Sequence, residues 1–330
     1  MTSRGLRSLG SFTCGLVSMS MLVAIGIAPH RAAAQTGAEG SGTWAMPRTS
    51  FGQPDLQGIW DFATITPLER PKELAGKEFL TAGEAAQYEA QRFALVDHDT
   101  ETGAEFVCRG TGNYNEFWYD RGFGDVVEGL RSSLIVDPPD GRIPALTDDA
   151  KRRPLPRRGE DSWEERGVAE RCIIGFNAGP PMMPSAYNNY VQLIQSPEYV
   201  VIYNEMIHDA RIVPLDPGPG IPDGIRQWSG VSRGRWEGDT LIVETTHFTD
   251  KTSFRGSTAQ LKLTERFTRF DSRTLHYEFT VDDPSTFTSA WTARVPMTKS
   301  DAVVHEYACH EGNYGLLNIL SGARTSEREP

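Results

Sequence analysis

The chain has 330 residues, a formal net charge of −11 and 10% aromatic residues. That length suits one large domain or two small ones. The acidic balance argues against nucleic acid and anionic membrane surfaces as partners.

The N-terminus carries Arg4 and Arg7, an apolar run from Phe12 to Ala28, and then Arg31-Ala-Ala-Ala-Gln35. This is the n-region, h-region and small-residue site of a secretory signal, with cleavage predicted near Ala34/Gln35. A membrane anchor would need about 20 apolar residues, and Ser18 and Ser20 interrupt this shorter run. Residues 1–34 therefore read as a signal peptide, which predicts a periplasmic or secreted protein without membrane insertion. Cys108, Cys172 and Cys309 remain after cleavage. An oxidising compartment favours one disulfide plus one free thiol, and the spacing leaves the pairing open.

Residues 35–50 are rich in Gly, Ser and Thr and read as a flexible leader. A single domain is expected over 51–325, with a short tail at 326–330. It opens on a strand at Gly58-Ile-Trp60. Thr81 and Glu84 have the spacing of a capping box and predict a helix from about 82 to 95, inside an insertion spanning 67–97. Residues 106–131 mix aromatic residues with glycines, and a strand follows at Ser132–Val136. The charged stretch 147–170 reads as a second, helical or loosely ordered insertion. A Pro/Gly/Asn loop covers 175–190.

Val191–Ile194 and Tyr199–Ile207 read as strands joined by a short turn. A second Pro/Gly loop at 217–224 leads into a meander at 239–248, 260–270, 274–281, 287–295 and 303–309. Hairpin turns fall at Trp236–Asp239 and Phe270–Arg273. No convincing apolar helix follows residue 191. The expectation is a mainly β fold, an antiparallel barrel with peripheral helices and long Pro/Gly loops.

The Gly58-Ile-Trp60 opening followed by a meander resembles the calycin or lipocalin-like barrel signature. Over roughly 54–325, the strings RGRWEGDTLIVETTHFTDKT, NEMIHDARIVPLD and YACHEGNYG resemble a group of exported bacterial proteins. That resemblance implies export and single-domain organisation. It carries over no catalytic residue.

Titratable side chains gather at predicted strand ends beside the loops, where sites often lie. In NEMIHDAR these are Glu205, His208 and Asp209. A continued strand would set His208 on one face with Asn204 and Met206, and Asp209 could orient its imidazole. The bland alternative is a turn in which Asp209 pairs with Arg211. At HEYACHEG, alternation puts His305, Tyr307 and Cys309 on one face, and His310 and Glu311 leave the strand just before Gly312. Their alternative is a salt-linked strand end or a structural disulfide at Cys309. Tyr114, Trp118, Tyr119 and Arg121, with Tyr187, suit a pocket that stacks on a planar ligand and holds an anionic group. They suit a loop stapled by aromatics equally well.

His208, His247 and His310 sit at the ends of three predicted strands, and three histidines with an open position form a known metal site. No pair has HxH or HExxH spacing, so the expectation is no cofactor, with a metal ion as the alternative. GxSxG and phosphate-loop patterns are absent. Two functions fit. One is an exported enzyme using general acid/base chemistry, as a lyase, isomerase or hydratase, on a small hydrophobic or aromatic substrate. The other is a non-catalytic lipocalin-like carrier of a small molecule in the cell envelope.

Overall fold

The computed structural model describes residues 44–96, 119–120, 124–127, 129–154, 159–216, 218–251 and 254–328. Ten strands form one antiparallel sheet. They are β1 (Gly58–Asp61), β2 (Ile135–Asp137), β3 (Tyr190–Gln195), β4 (Tyr199–Asn204), β5 (Ala210–Pro214), β6 (Val231–Glu237), β7 (Thr240–Thr246), β8 (Lys262–Arg269), β9 (Thr274–Asp282) and β10 (Trp291–Ser300). The order is β5-β4-β3-β1-β10-β9-β8-β7-β6, with β2 pairing beside β10.

Local chemistry sets the turns. Gly238 has φ +61° in the two-residue β6–β7 loop, a conformation only glycine adopts freely in such a tight hairpin. Asp271 Oδ1 accepts from the amides of Arg273 and Thr274, both at 2.7 Å, and closes the β8–β9 turn.

Alternation along each strand separates two faces. The inner rows include Trp60, Val191, Leu193, Ile202, Phe267, Phe279, Trp291 and Val295, which form one buried cluster. Each fully buried Leu, Val or Phe there contributes roughly 1.5–3 kcal/mol. The sheet curls until its edge strands β5 and β6 touch. A Cβ on Gly234 of β6 would lie 2.9 Å from Leu215 and 3.0 Å from Val213 of β5. No hydrogen-bonded ladder joins those edges, so the expected closed barrel is not formed.

Helix α1 (Ala82–Val96) has the predicted capping box: Thr81 N–H donates to Glu84 Oε2 at 2.9 Å, and Glu84 N–H to Thr81 Oγ1 at 3.3 Å. The 147–170 stretch forms a short helix, α2 (Asp148–Arg152), and a 3₁₀ turn at Trp163–Glu165. Two expectations near the C-terminus fail. Residues 303–309 form no strand of the sheet, and their polar contacts go to the β4–β5 turn rather than to a ladder. A helix also follows, α3 (Tyr314–Ser326), capped by Asn313, whose Oδ1 accepts from Leu316 N–H at 3.3 Å. Gly315 and Gly322 mask it in the sequence, whereas Leu316, Ile319, Leu320 and Ala323 keep a helical period. Among the described residues no helix is long and apolar enough to cross a membrane.

Candidate functional site

Register brings three strand ends together. Asp61 closes β1 opposite Tyr190 of β3, and Glu205 N–H donates to Tyr190 O at 3.0 Å. One residue back, Trp60, Val191 and Asn204 form a fully buried inner row, so alternation turns Asp61 and Tyr190 to the outer face. Phe62 N–H donates to Asn189 O at 3.0 Å, which fixes the 185–189 loop above this edge. Asp120 is held against the same loop, its Oδ2 accepting from the Asn189 backbone at 2.8 Å and from its side-chain amide at 2.9 Å. Asn177 braces the loop from below by donating to Ser185 Oγ and to the carbonyls of Tyr187 and Asn188.

The segment after β10 closes over this floor. His305 N–H donates to Glu205 Oε1 at 3.0 Å, and His208 Nδ1 lies 3.2 Å from Tyr307 O. A disulfide between Cys172 and Cys309 then ties the segment to the 168–175 loop. The pairing that the sequence left open is thus settled, and Cys108 lies outside the described residues. Glu205 is only 3% exposed beneath this strap.

The carboxyls here are electrostatically unhappy. Burial, and secondarily the fields of Asp120 and Glu205, push the Asp61 pKa up to about 6, although the Ala63 N–H opposes the shift. Burial also raises Glu205; the His305 N–H, the Asn188 side chain and the His305 imidazole pull the other way without cancelling it. Asp209 is raised by burial against the opposing pull of Arg211 and His208. A carboxyl that burial and acidic neighbours raise, as they raise Asp61, can hold or release a proton near neutral pH.

The backbone beside them is strained. β4 ends at Asn204 rather than running on to Ile207, and Met206–His208 makes a 3₁₀ turn. Ile207 (φ +52°) and His208 (φ +46°) are both left-handed, a costly conformation for a β-branched residue. The expected strand face shared by His208, Asn204 and Met206 therefore does not exist. Met206 is buried, whereas His208 is exposed on the turn.

The other predicted residues scatter. His310 and Glu311 are exposed in the turn after Cys309, where Asn313 N–H donates to His310 O at 3.2 Å. His247 Nδ1 is 2.8 Å from Thr246 Oγ1 and its Nε2 is 3.7 Å from Asp223. His208 faces Tyr307 instead, and no group of three His, Cys, Asp or Glu side chains suited to a metal occurs among the described residues. Tyr187 packs edge-on against Phe176 with ring centres 5.5 Å apart. Tyr119 is half-buried, and burial raises its phenol pKa. Tyr114, Trp118 and Arg121 lie outside the described residues.

Sequence reasoning missed Asp61 and Asp120 as partners of Glu205, and it passed over His305 in favour of His310. An aspartate directly after a core tryptophan at a strand end was the one available signal. It also missed a second polar group on the inner face. There Arg211 forms a two-pronged ion pair with Glu265, whose side chain is 0% exposed. Tyr277 OH donates to Glu265 Oε1 at 2.8 Å and accepts from Met182 N–H at 3.0 Å.

Two cavities border the 168–175 loop. An apolar one of about 180 Å³ is lined by Phe176, Met183, Trp228, Phe248, Phe254 and Leu261, among others. A polar one of about 640 Å³ runs along the seam between β5 and β6. No protein-family model matches the chain, and no curated protein matches it.

Proposed function

We propose that the protein is an exported enzyme that moves a proton on a small, largely apolar substrate, with Asp61 and Glu205 as the proton-transfer pair. The observation that carries this reading is the raised pKa of two carboxyls, half-buried Asp61 near 6 and buried Glu205, whose field acts on Asp61. Structural carboxylates are normally paired with cations, and perturbed ones concentrate where chemistry occurs. In this assignment Glu205, steadied by the His305 N–H and Asn188, removes a proton, and Asp61 returns one. The strained turn at Ile207 and the strap over Glu205 fix the carboxyl's direction. A lyase, isomerase or hydratase needs no more than this.

The signal-like residues 1–34 support export, and the Cys172–Cys309 disulfide suits an oxidising compartment. A lipocalin-like carrier remains the second reading, on a calycin-like scaffold of the same curled sheet. Such a carrier holds its ligand inside the barrel, yet here the inner rows pack into a continuous apolar core.

Proton abstraction without a cofactor is detectable before the true substrate is known. Small aromatic ketones, aldehydes and carboxylic acids incubated with the protein in D2O are followed by proton NMR for exchange at acidic C–H positions. Wild type is expected to accelerate exchange on at least one class, and Glu205→Gln to lower that rate by about 10²–10⁴-fold. Equal exchange by the two proteins removes Glu205 from the reaction.

A further inference from the structure

Trp228 lines three cavities at once: the apolar one of about 180 Å³, the seam cavity of about 640 Å³ and a third of about 510 Å³. Three cations stand around it. The Arg171 guanidinium lies 5.4 Å from the Trp228 ring centre and 4.5 Å from that of Trp163. Arg226 borders the seam cavity and the third one and donates to Ala259 O at 2.8 Å. Lys251 borders the third. Among the described residues no carboxylate pairs with any of these three. Asp250 shares the third cavity, and the rim stays net positive. In a chain of net charge −11 this is an unusual concentration of unpaired positive charge.

The apolar side has a defined capacity. Its volume is close to that of an apolar cavity of ~150 Å³ that takes up benzene. Phe176, 51% exposed, stands at its rim, while Phe248 and Leu261 are buried in its wall. Phe254 stacks at 6.1 Å and 24° on Trp291, which anchors that wall to the inner core.

We infer that this junction binds an aromatic carboxylate, with one ring in the apolar cavity and the carboxylate at the rim among Arg226, Lys251 and Arg171. The ring size follows from the volume, and the anionic group follows from cations that pair with no carboxylate among the described residues. Arg suits the task because its planar fork grips a carboxylate in two places and stacks on indole. As a binding site this stands independently; as the substrate class it rests on the acid/base reading above. The link is structural: Gly175 lines the apolar cavity and packs against Met206, the residue after Glu205.

The test is a calorimetric titration of the mature chain with 3-phenylpropionate and with its neutral amide. Wild type is expected to prefer the carboxylate by about tenfold or more. Arg226→Gln/Lys251→Gln is expected to abolish that preference while amide binding persists. Phe176→Ala weakens both ligands. Equal affinity for acid and amide, or no binding of either to a folded wild type, overturns the inference. Carboxylate binding without exchange or turnover overturns the acid/base reading alone, and turnover without a charge preference overturns this one alone.

Discussion

Two groups of charge sit on opposite faces of the same sheet and are built on opposite principles. On the inner face, Arg211, Glu265 and Tyr277 satisfy one another. Glu265 accepts from both arms of Arg211 and from the Tyr277 hydroxyl, and Tyr277 in turn accepts from Met182. Burial acts against the Arg211 charge, but Glu265 more than offsets it, so the guanidinium's pKa rises. Burial also drives the Tyr277 phenol well above its usual value, and the Glu265 carboxylate drives it further. On the outer face, the fields of Asp120 and Glu205 act on Asp61, and the His305 imidazole lies near Glu205. The first group is closed and structural. The second keeps carboxyls in the state that costs stability, as functional sites often do.

Breaking the inner pair gives the largest expected effect. Glu265→Gln leaves the Arg211 charge in a nearly dry place without its counter-ion, which costs about 3–5 kcal/mol of folding stability. Urea denaturation at pH 7 checks it; a loss below about 1 kcal/mol would show that water reaches Arg211. Tyr277→Phe comes next. It strips Met182 N–H of its acceptor and Glu265 of one donor, at a cost of about 1–3 kcal/mol by the same measurement.

The inner group was half legible. In KLTERFTR, Leu263, Glu265 and Phe267 share one phase of the alternation, so a glutamate stands at a core position and implies a buried cation. Its partner lies 54 residues away on β5, and no local pattern reaches that far. The hairpins, the meander and the capping box were readable because each depends on residues within a few positions. The sheet's failure to close was not, since it depends on how far the whole sheet curls. The outer group shows the same limit more severely. Glu205 was found from its own neighbours, but Asp61, Asp120 and His305 reach it only through cross-strand register and through the strap that the disulfide ties down. The strand expected to carry His208 ended early because Glu205 turns helical and Ile207 turns left-handed.

The outer group should respond to mutation with the opposite sign. The folded Asp61 pKa near 6 exceeds its unfolded value of 3.8. Between those values the native state binds more protons than the unfolded chain, so this residue's contribution to stability falls as pH rises from 3.8 through 6. Below 3.8 the penalty is absent; above 6 it is complete. Asp61→Asn, which keeps an oxygen for the Ala63 N–H, should therefore be more stable than wild type at pH 8. Because Asp61 keeps some contact with water, the gain is discounted to on the order of 1 kcal/mol. Thermal denaturation at pH 8 and pH 3.5 checks both halves: the variant leads at the first and ties at the second. The same variant should lose the exchange activity, since an amide cannot return the proton. A variant that gained stability and kept activity would make the outer carboxyls a mere fault of packing.

The smallest expected effect separates the two histidines nearest the strap. His305 holds Glu205 by its backbone N–H, which any side chain leaves in place, while its imidazole favours the ionised carboxylate. His305→Ala should therefore move the Glu205 titration to higher pH, with the fold unchanged. His208 touches the strap only at Tyr307 O and is exposed, so His208→Ala should alter stability by less than about 0.5 kcal/mol. It should also leave the Glu205 titration where it was. Carboxyl carbon NMR of selectively labelled glutamate reads both. If His208 rather than His305 moves the Glu205 resonance, the strap sits differently in solution, and the proton-transfer pair must be sought on the β4–β5 turn itself.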